Sequence, residues 1–232
     1  LHRHRLPAHV QAQAPAGQSV RAGDAPVTVL LSTRNDMEPA GGVLAFADIS
    51  ARKRVEELLR HQATYDALTG VPNRALFFDT LAQAVARARR GQKAVALLYL
   101  DLDGFKEIND RYGHAAGDEV LKGFSQRCRE ILRAGDLLAR IGGDEFVVLI
   151  EDARDMASLE ALARKLCEET SREFEVGPHL LNIGVSIGIA RSPRGQTDGE
   201  ALLAAADIAM YEAKQAGKRT WRQRELTEDS GR

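Results

Sequence analysis

Cysteine, aromatic residues and long apolar runs are all scarce in this chain of 232 residues. There are two cysteines, Cys128 and Cys167, and no C-x-x-C spacing. That excludes a disulfide framework and a thiolate metal site of the usual spacing. Both fall in amphipathic, helical stretches and read as buried reduced thiols. This suits a reducing compartment, and the expected location is cytoplasmic. The longest apolar run, Ala94 to Leu100, is far short of the roughly 20 residues that cross a bilayer. No signal peptide is visible, so no membrane segment is expected in this chain. The chain begins with Leu rather than Met, which reads as a fragment whose parent can still be membrane-anchored. A net charge of −1 carries no basic surplus, so no nucleic-acid partner is expected.

What is present is ordinary soluble-protein composition, with 44% hydrophobic and 28% charged residues. Residues 1–26 are rich in Ala, Pro, Gly, Gln and Arg and read as loop. Val27 to Thr33 and Gly42 to Ile49 read as two strands of a hairpin, with turn chemistry from Asn35 to Gly42. Two strands are not stable alone, so they look like the tail of a larger domain. Ser50 can cap the helix that follows, in which Val55, Leu58, Leu59 and Gln62 share one face. Such a stripe suits packing on its own domain or a parallel two-stranded coiled coil.

From Tyr65 the pattern changes. Helices are expected over 74–90, 117–133, 156–170 and 200–216, ended by Gly91 and Gly217 where glycine stops serve. Strands are expected over 94–102, 137–141, 146–150 and 181–190, the middle two as a hairpin around Gly142-Gly143. Adjacent strands in the middle point to an α+β fold with a mainly antiparallel sheet.

Three clusters carry candidate chemistry. Asp101 and Asp103 follow the apolar run, and strand alternation puts them on one face. Paired carboxylates at a buried strand end are costly unless they share a cation, and Mg²⁺ favours such oxygen ligands together with substrate phosphates. The same pattern also fits an acidic, solvated strand end. Asp144 and Glu145 follow two glycines that allow a tight turn and close approach of a ligand. They also suit a plain acidic turn. Asn109 and Asp118 could read a purine edge, since a carboxylate accepts from the guanine N1–H and amino groups. Lys106, Lys214 and Lys218 could neutralise phosphates, or simply be solvated.

Together these segments become specific. Residues 101–118 resemble the D-x-D-x-F-K-x-I-N-D-x-x-G-H-x-x-G-D signature of the GGDEF family of diguanylate cyclases. Arg140 to Phe146 matches the motif that names the family. Asp66 to Arg74 resembles its entry motif, D-x-L-T-G-L-P-N-R. Ala206-Asp207 and Tyr211 to Lys214 resemble its last helix. The resemblance covers about residues 64–222.

It implies a palm-like α+β fold related to nucleotide cyclases. It implies condensation of two GTP into cyclic di-GMP with release of pyrophosphate, and Mg²⁺ or Mn²⁺ as cofactor. By resemblance Asp101, Asp144 and the backbone carbonyl of Leu102 are metal ligands. Glu145 sits where the family uses a carboxylate on the ribose 3′-hydroxyl or the metal. Asn109 and Asp118 match its guanine pair. Gly104, Phe105, Lys106 and Lys214 match its phosphate contacts, and Gly143 would let the nucleotide approach. One departure is visible: Lys218 stands where the family has a phosphate-binding Arg, and Lys lacks the bidentate fork.

The resemblance also implies a homodimer, joined through the helix at 51–63, because each domain holds one GTP. Arg133 and Asp136 match the family's inhibitory R-x-x-D site for cyclic di-GMP, with Arg164 as a second product-binding Arg. By itself that spacing is common in solvated helix ends. Residues 27–54 resemble the last strands and exit of a PAS sensor domain. The expected organisation is therefore a partial sensor remnant at 1–50, a linker helix at 51–63, a catalytic domain at 64–224 and a polar tail at 225–232. Two other readings remain open here: a domain that only senses nucleotide, and the regulatory half of a larger phosphodiesterase.

Overall fold

A computed structural model describes residues 19–22, 25–31, 44–48, 50–91, 93–192 and 198–226. The expected turn at 35–42 lies outside the described residues. The chain divides into two compact units, residues 1–61 and 62–232.

In the first unit, β1 (Ser19–Ala22), β2 (Ala25–Leu31) and β3 (Leu44–Asp48) form an antiparallel sheet in the order β1-β2-β3. The pairing of β2 with β3, from Val27 opposite Asp48 to Leu31 opposite Leu44, is that of the expected hairpin strands. β1 corrects the expectation of loop throughout residues 1–26. It is only four residues long and holds by backbone pairing to β2, which composition does not report. Helix α1 (Ser50–Thr64) follows, and its Val55 and Leu59 are largely exposed.

The second unit continues with α2 (Arg74–Gly91), β4 (Val95–Asp103), α3 (Phe105–Tyr112), α4 (His114–Ile131), β5 (Leu137–Arg140), β6 (Glu145–Glu151), α5 (Met156–Thr170), β7 (Phe174–Val176), β8 (His179–Leu181), β9 (Gly184–Ser192), α6 (Gly199–Gln215) and β10 (Trp221–Glu225). Five strands form one sheet in the order β10-β9-β4-β6-β5. All its pairings are antiparallel except β10 on β9. Helices cover both faces, so this is the expected α+β class.

β4 is the middle strand because its apolar run can be buried on both sides. Every residue from Val95 to Leu102 is buried. Its even-numbered residues, Ala96 to Leu102, face a core with Val120, Phe124 and Leu166 of α4 and α5. Its odd-numbered residues Val95, Leu97 and Tyr99 face a second core with Phe77, Leu81, Leu202 and Met210 of α2 and α6. Alternation thus feeds two cores from one strand. Asp101 and Asp103 continue the odd series, on the α6 side.

Helix α6 lies against the sheet on small residues, Ala206, Ala209 and Ala213, all fully buried. Gly188 of β9 makes the approach possible. A Cβ there would overlap the Ala206 carbonyl and the Met210 amide nitrogen of the helix backbone. Side-chain caps start α5 and α6. The Asp155 carboxylate accepts from the Ser158 amide at 2.7 Å, and Asp198 accepts from the Glu200 amide at 3.2 Å.

Four elements of this unit escape the sequence pattern. α3 buries only Ile108, too little for a visible stripe. β7 and β8 are three residues each around Gly177. β10 reads Trp-Arg-Gln-Arg-Glu and is mostly exposed; it joins the sheet edge by parallel backbone pairing with β9 and carries no apolar stripe. Glu225, where a polar tail was expected to begin, is its last residue and ion-pairs with Arg191. A Gly188→Ala substitution is expected to destabilise the second unit by about 3 kcal/mol through overpacking against a helix backbone that cannot yield, read as a lowered urea midpoint.

Candidate active site

The site is built where β4 ends and β6 begins. Antiparallel register places Asp101 directly opposite Glu145 on one side and Ser186 of β9 on the other. Opposed residues on one face have Cβ atoms about 5 Å apart. The Leu102 amide donates to the Asp144 carbonyl at 3.3 Å, which ties the hairpin to the end of β4. Asp101, Leu102, Asp144 and Glu145 are therefore brought together, as expected.

Asp101 is only 7% exposed. Burial raises its pKa, and the neighbouring charges of Asp144 and Glu145 add to this. The Lys214 ammonium opposes the rise, standing 2.7 Å from one Asp101 oxygen. A cationic group thus already sits on this carboxylate. Among the described residues no three His, Cys, Asp or Glu side chains are gathered to hold a metal by themselves. The donors expected from the sequence are nevertheless all oxygen: Asp101, Asp144 and the main-chain carbonyl of Leu102. One or two carboxylates completed by substrate phosphates is how Mg²⁺ is usually held, so the residues present fit such an ion.

Glu145 is held on both sides. The Tyr99 hydroxyl donates to its carboxylate at 3.1 Å. Burial, then the Glu145 charge, raises the Tyr99 pKa, which keeps that proton in place. The Glu145 side chain lies across Gly142, where any Cβ would overlap it. Gly143 is exposed, and a Cβ there would meet nothing within 4 Å.

Asn109 on α3 packs beside α4 at Gly117, the residue before Asp118. The Asn109 amide group lies on Gly117, where a Cβ would collide with it. Gly104 adopts a left-handed φ of 82° and opens α3, ahead of Phe105 and an exposed Lys106. Lys218 is exposed in the turn after α6. Asp103, grouped with Asp101 in the sequence, has a separate set of partners: it accepts from the Ser186 hydroxyl at 2.7 Å and the Arg219 amide at 2.9 Å.

The inhibitory candidates lie on two elements, Arg133 and Asp136 in the turn before β5 and Arg164 on α5. Asp136 accepts from the Arg133 amide at 3.1 Å, closing the turn before β5. The Arg164 guanidinium lies over the Trp221 ring at 5.6 Å, on β10.

The family described as "Diguanylate cyclase, GGDEF domain" matches residues 63–220. The chain belongs to the GGDEF family. The chain is similar to the bifunctional diguanylate cyclase/cyclic di-GMP phosphodiesterase MucR of Pseudomonas aeruginosa, 44% identical over 183 residues, 78% of this chain and 26% of MucR. It is 40% identical over 171 residues to the diguanylate cyclase TpbB of the same species, 73% of this chain and 39% of TpbB. The chain thus spans well under two thirds of these relatives. Among solved structures, the coiled coil and GGDEF domain of DgcB from Caulobacter crescentus, in complex with c-di-GMP, aligns with a TM-score of 0.70 at 27% identity. That alignment covers 77% of this chain and 93% of DgcB's.

Two residues inside the family motifs gain a function that the motifs alone do not reveal. Arg140 donates to both Asp66 oxygens, at 3.0 and 3.2 Å, and twice to the Gly143 carbonyl, at 3.0 and 2.7 Å. It thereby joins the entry turn of the GGDEF domain to the acidic hairpin. Asp66 also accepts from the Thr69 amide and hydroxyl. Burial alone would raise the Asp66 pKa, but the Thr69 bonds and Arg140 outweigh it and hold the carboxyl below the usual 3.8. The stabilisation is therefore complete above about pH 4 and is lost as pH falls through the lowered folded value. Asp66→Asn is expected to lower stability by about 2 kcal/mol at pH 7. In thermal melts the difference from the parent should narrow below pH 4 and vanish at more acidic pH.

Proposed function

We propose that this chain is a diguanylate cyclase that condenses two GTP into cyclic di-GMP with release of two pyrophosphates. The observation that carries the reading is the register pair Asp101 and Glu145, with Lys214 at 2.7 Å from Asp101 and Tyr99 bonded to Glu145. A carboxylate beside a cation-binding carboxylate is what nucleotidyl transfer to a hydroxyl needs. Retention of Asp101, Asp144 and Glu145 together favours synthesis over a domain that only senses nucleotide.

Each domain takes one GTP. The Asp118 carboxylate accepts from the guanine N1–H and amino groups, and the Asn109 amide donates to the guanine edge. The amides around Gly104 and Phe105, with Lys106, Lys214 and Lys218, hold the triphosphate. Asp101, Asp144 and the Leu102 carbonyl would hold Mg²⁺ or Mn²⁺, which when bound supplies charge stabilisation at the phosphoryl oxygens. Glu145, fixed by Tyr99, orients the ribose 3′-hydroxyl and accepts its proton. The 3′-oxygen of one GTP attacks the α-phosphorus of the other; the new P–O bond forms as the bond to pyrophosphate breaks. The second half repeats this in reverse sense and closes the ring.

Two faced domains are required, so the working unit is a homodimer. The exposed Val55 and Leu59 of α1 support pairing through that helix. Product inhibition fits Arg133 and Asp136, with Arg164 as a second product contact. Residues 27–54 are read as a PAS remnant, and a cytoplasmic placement suits both nucleotides; no helix among the described residues is long and apolar enough to cross a membrane.

The test is chromatography of nucleotides after incubating product-free protein with GTP and Mg²⁺. Cyclic di-GMP plus pyrophosphate is expected, and their absence at high protein concentration with a fused dimerising helix would refute synthesis. Glu145→Gln should lower turnover at least about 1000-fold with an unchanged melting temperature, since Gln still accepts from Tyr99. Arg133→Ala should leave initial rates intact and remove the slowing caused by added product, measured as at least a tenfold rise in the inhibition constant, about the loss of one charge-assisted contact.

A further inference from the structure

The second carboxylate of the D-x-D pair has no part in the reading above. Its two oxygens are both committed inside the fold. One accepts from the Ser186 hydroxyl at 2.7 Å, and Ser186 is fully buried on β9. The other accepts from the Arg219 amide at 2.9 Å. Arg219 ends an unusual turn between α6 and β10. Three successive residues, Gly217, Lys218 and Arg219, have φ of 113°, 64° and 51°. Lys and Arg adopt this left-handed region only at a cost, so the surroundings must hold it.

The holding points are visible. The Lys218 amide donates to the Ala213 carbonyl at 3.2 Å, at the end of α6. The Arg219 amide reaches Asp103. The Arg219 side chain lies across Gly184, which pairs with Asp103 and where a Cβ would overlap it. Lys218 therefore stands between two anchored amides, four residues beyond Lys214. Its own side chain is exposed and, among the described residues, has no carboxylate partner.

We infer that Asp103 is a positioning residue for the triphosphate: through the Arg219 amide it holds the left-handed turn that presents Lys218 beside Lys214. The inference rests on the reading of Lys218 as a phosphate contact. Lys lacks the planar fork of Arg, so its value as a point charge depends on where the backbone puts it. The anchor separates the two carboxylates of the pair: Asp101 serves the cation, and Asp103 serves the turn.

The test is a double-mutant cycle of Asp103→Ala and Lys218→Ala in the full chain. Initial rates with GTP and Mg²⁺ give KM and kcat. Binding of 3′-deoxy-GTP, which lacks the attacking hydroxyl, is followed through emission of Trp221, the single tryptophan, three residues past Lys218. Asp103→Ala is expected to raise KM and Kd about tenfold, the loss of one charge-assisted hydrogen bond, with a smaller change in kcat. The double variant should bind no worse than Lys218→Ala alone. Asp103→Asn should recover most of the affinity, because its amide can accept from Arg219 and donate to Ser186. Effects of Asp103 and Lys218 that multiply, or an Asn variant as weak as Ala, would overturn the inference while leaving Lys218 on the triphosphate. Unchanged binding in Lys218→Ala would overturn the phosphate reading itself, and the inference with it. Should Asp103→Ala not fold, Ser186→Ala replaces it in the cycle, with an expected rise of about threefold; no rise would count against the inference.

Discussion

The arrangement depends on one guanidinium. Arg140 sits at the end of β5, next to the two glycines, and its side chain is 15% exposed. Its head spans Asp66 and the Gly143 carbonyl, and its amide donates to the Pro72 carbonyl at 2.9 Å. A planar fork can serve two acceptors at fixed angles, which an ammonium cannot. Without it the acidic hairpin would hang from β5, β6 and the single Leu102–Asp144 backbone bond, with an exposed glycine at its tip. With it, the hairpin backbone and the entry turn are one hydrogen-bonded piece. Asp144 and Glu145 inherit their placement from that piece.

The second constraint is burial at the end of β4. A nine-residue strand with both faces covered has no solvated side on which to put a carboxylate. Asp101 meets this by taking Lys214 as partner and sharing a cation-seeking neighbourhood with Asp144 and Glu145. Asp103 meets it by accepting two neutral donors. Identical residues two positions apart thus reach opposite solutions. One stays short of positive charge, and the other is saturated.

Much of the fold was legible because apolar periodicity and burial agree. α5 is observed as Met156–Thr170, the expected range, since Leu159, Ala163, Leu166 and Cys167 make a clear stripe above an Asp cap. The α4 stripe of Ala116, Val120, Leu121, Phe124 and Cys128 is equally plain, though the helix opens three residues earlier than expected, behind Gly113. α3, β7, β8 and β10 were not legible because each buries one or two side chains, or holds by backbone pairing. The site was legible as motifs and illegible as contacts. Tyr99 looked like one more residue of an apolar run, and Ser186 like one more residue of a strand.

The sequence by itself determined the family, the α+β class and the candidate oxygen donors, because these follow from residue type, order and period. It could not distribute roles among them. Which Asp takes the Lys214 ammonium, which accepts from the Arg219 amide, and that Tyr99 bonds to Glu145 were decided only by strand register and strand order. Those bring together residues 44 to 116 positions apart, such as Asp101 with Glu145 and Asp103 with Arg219. Local pattern is a property of neighbours in the chain; a register between distant strands is set by which pairing buries both cores at once.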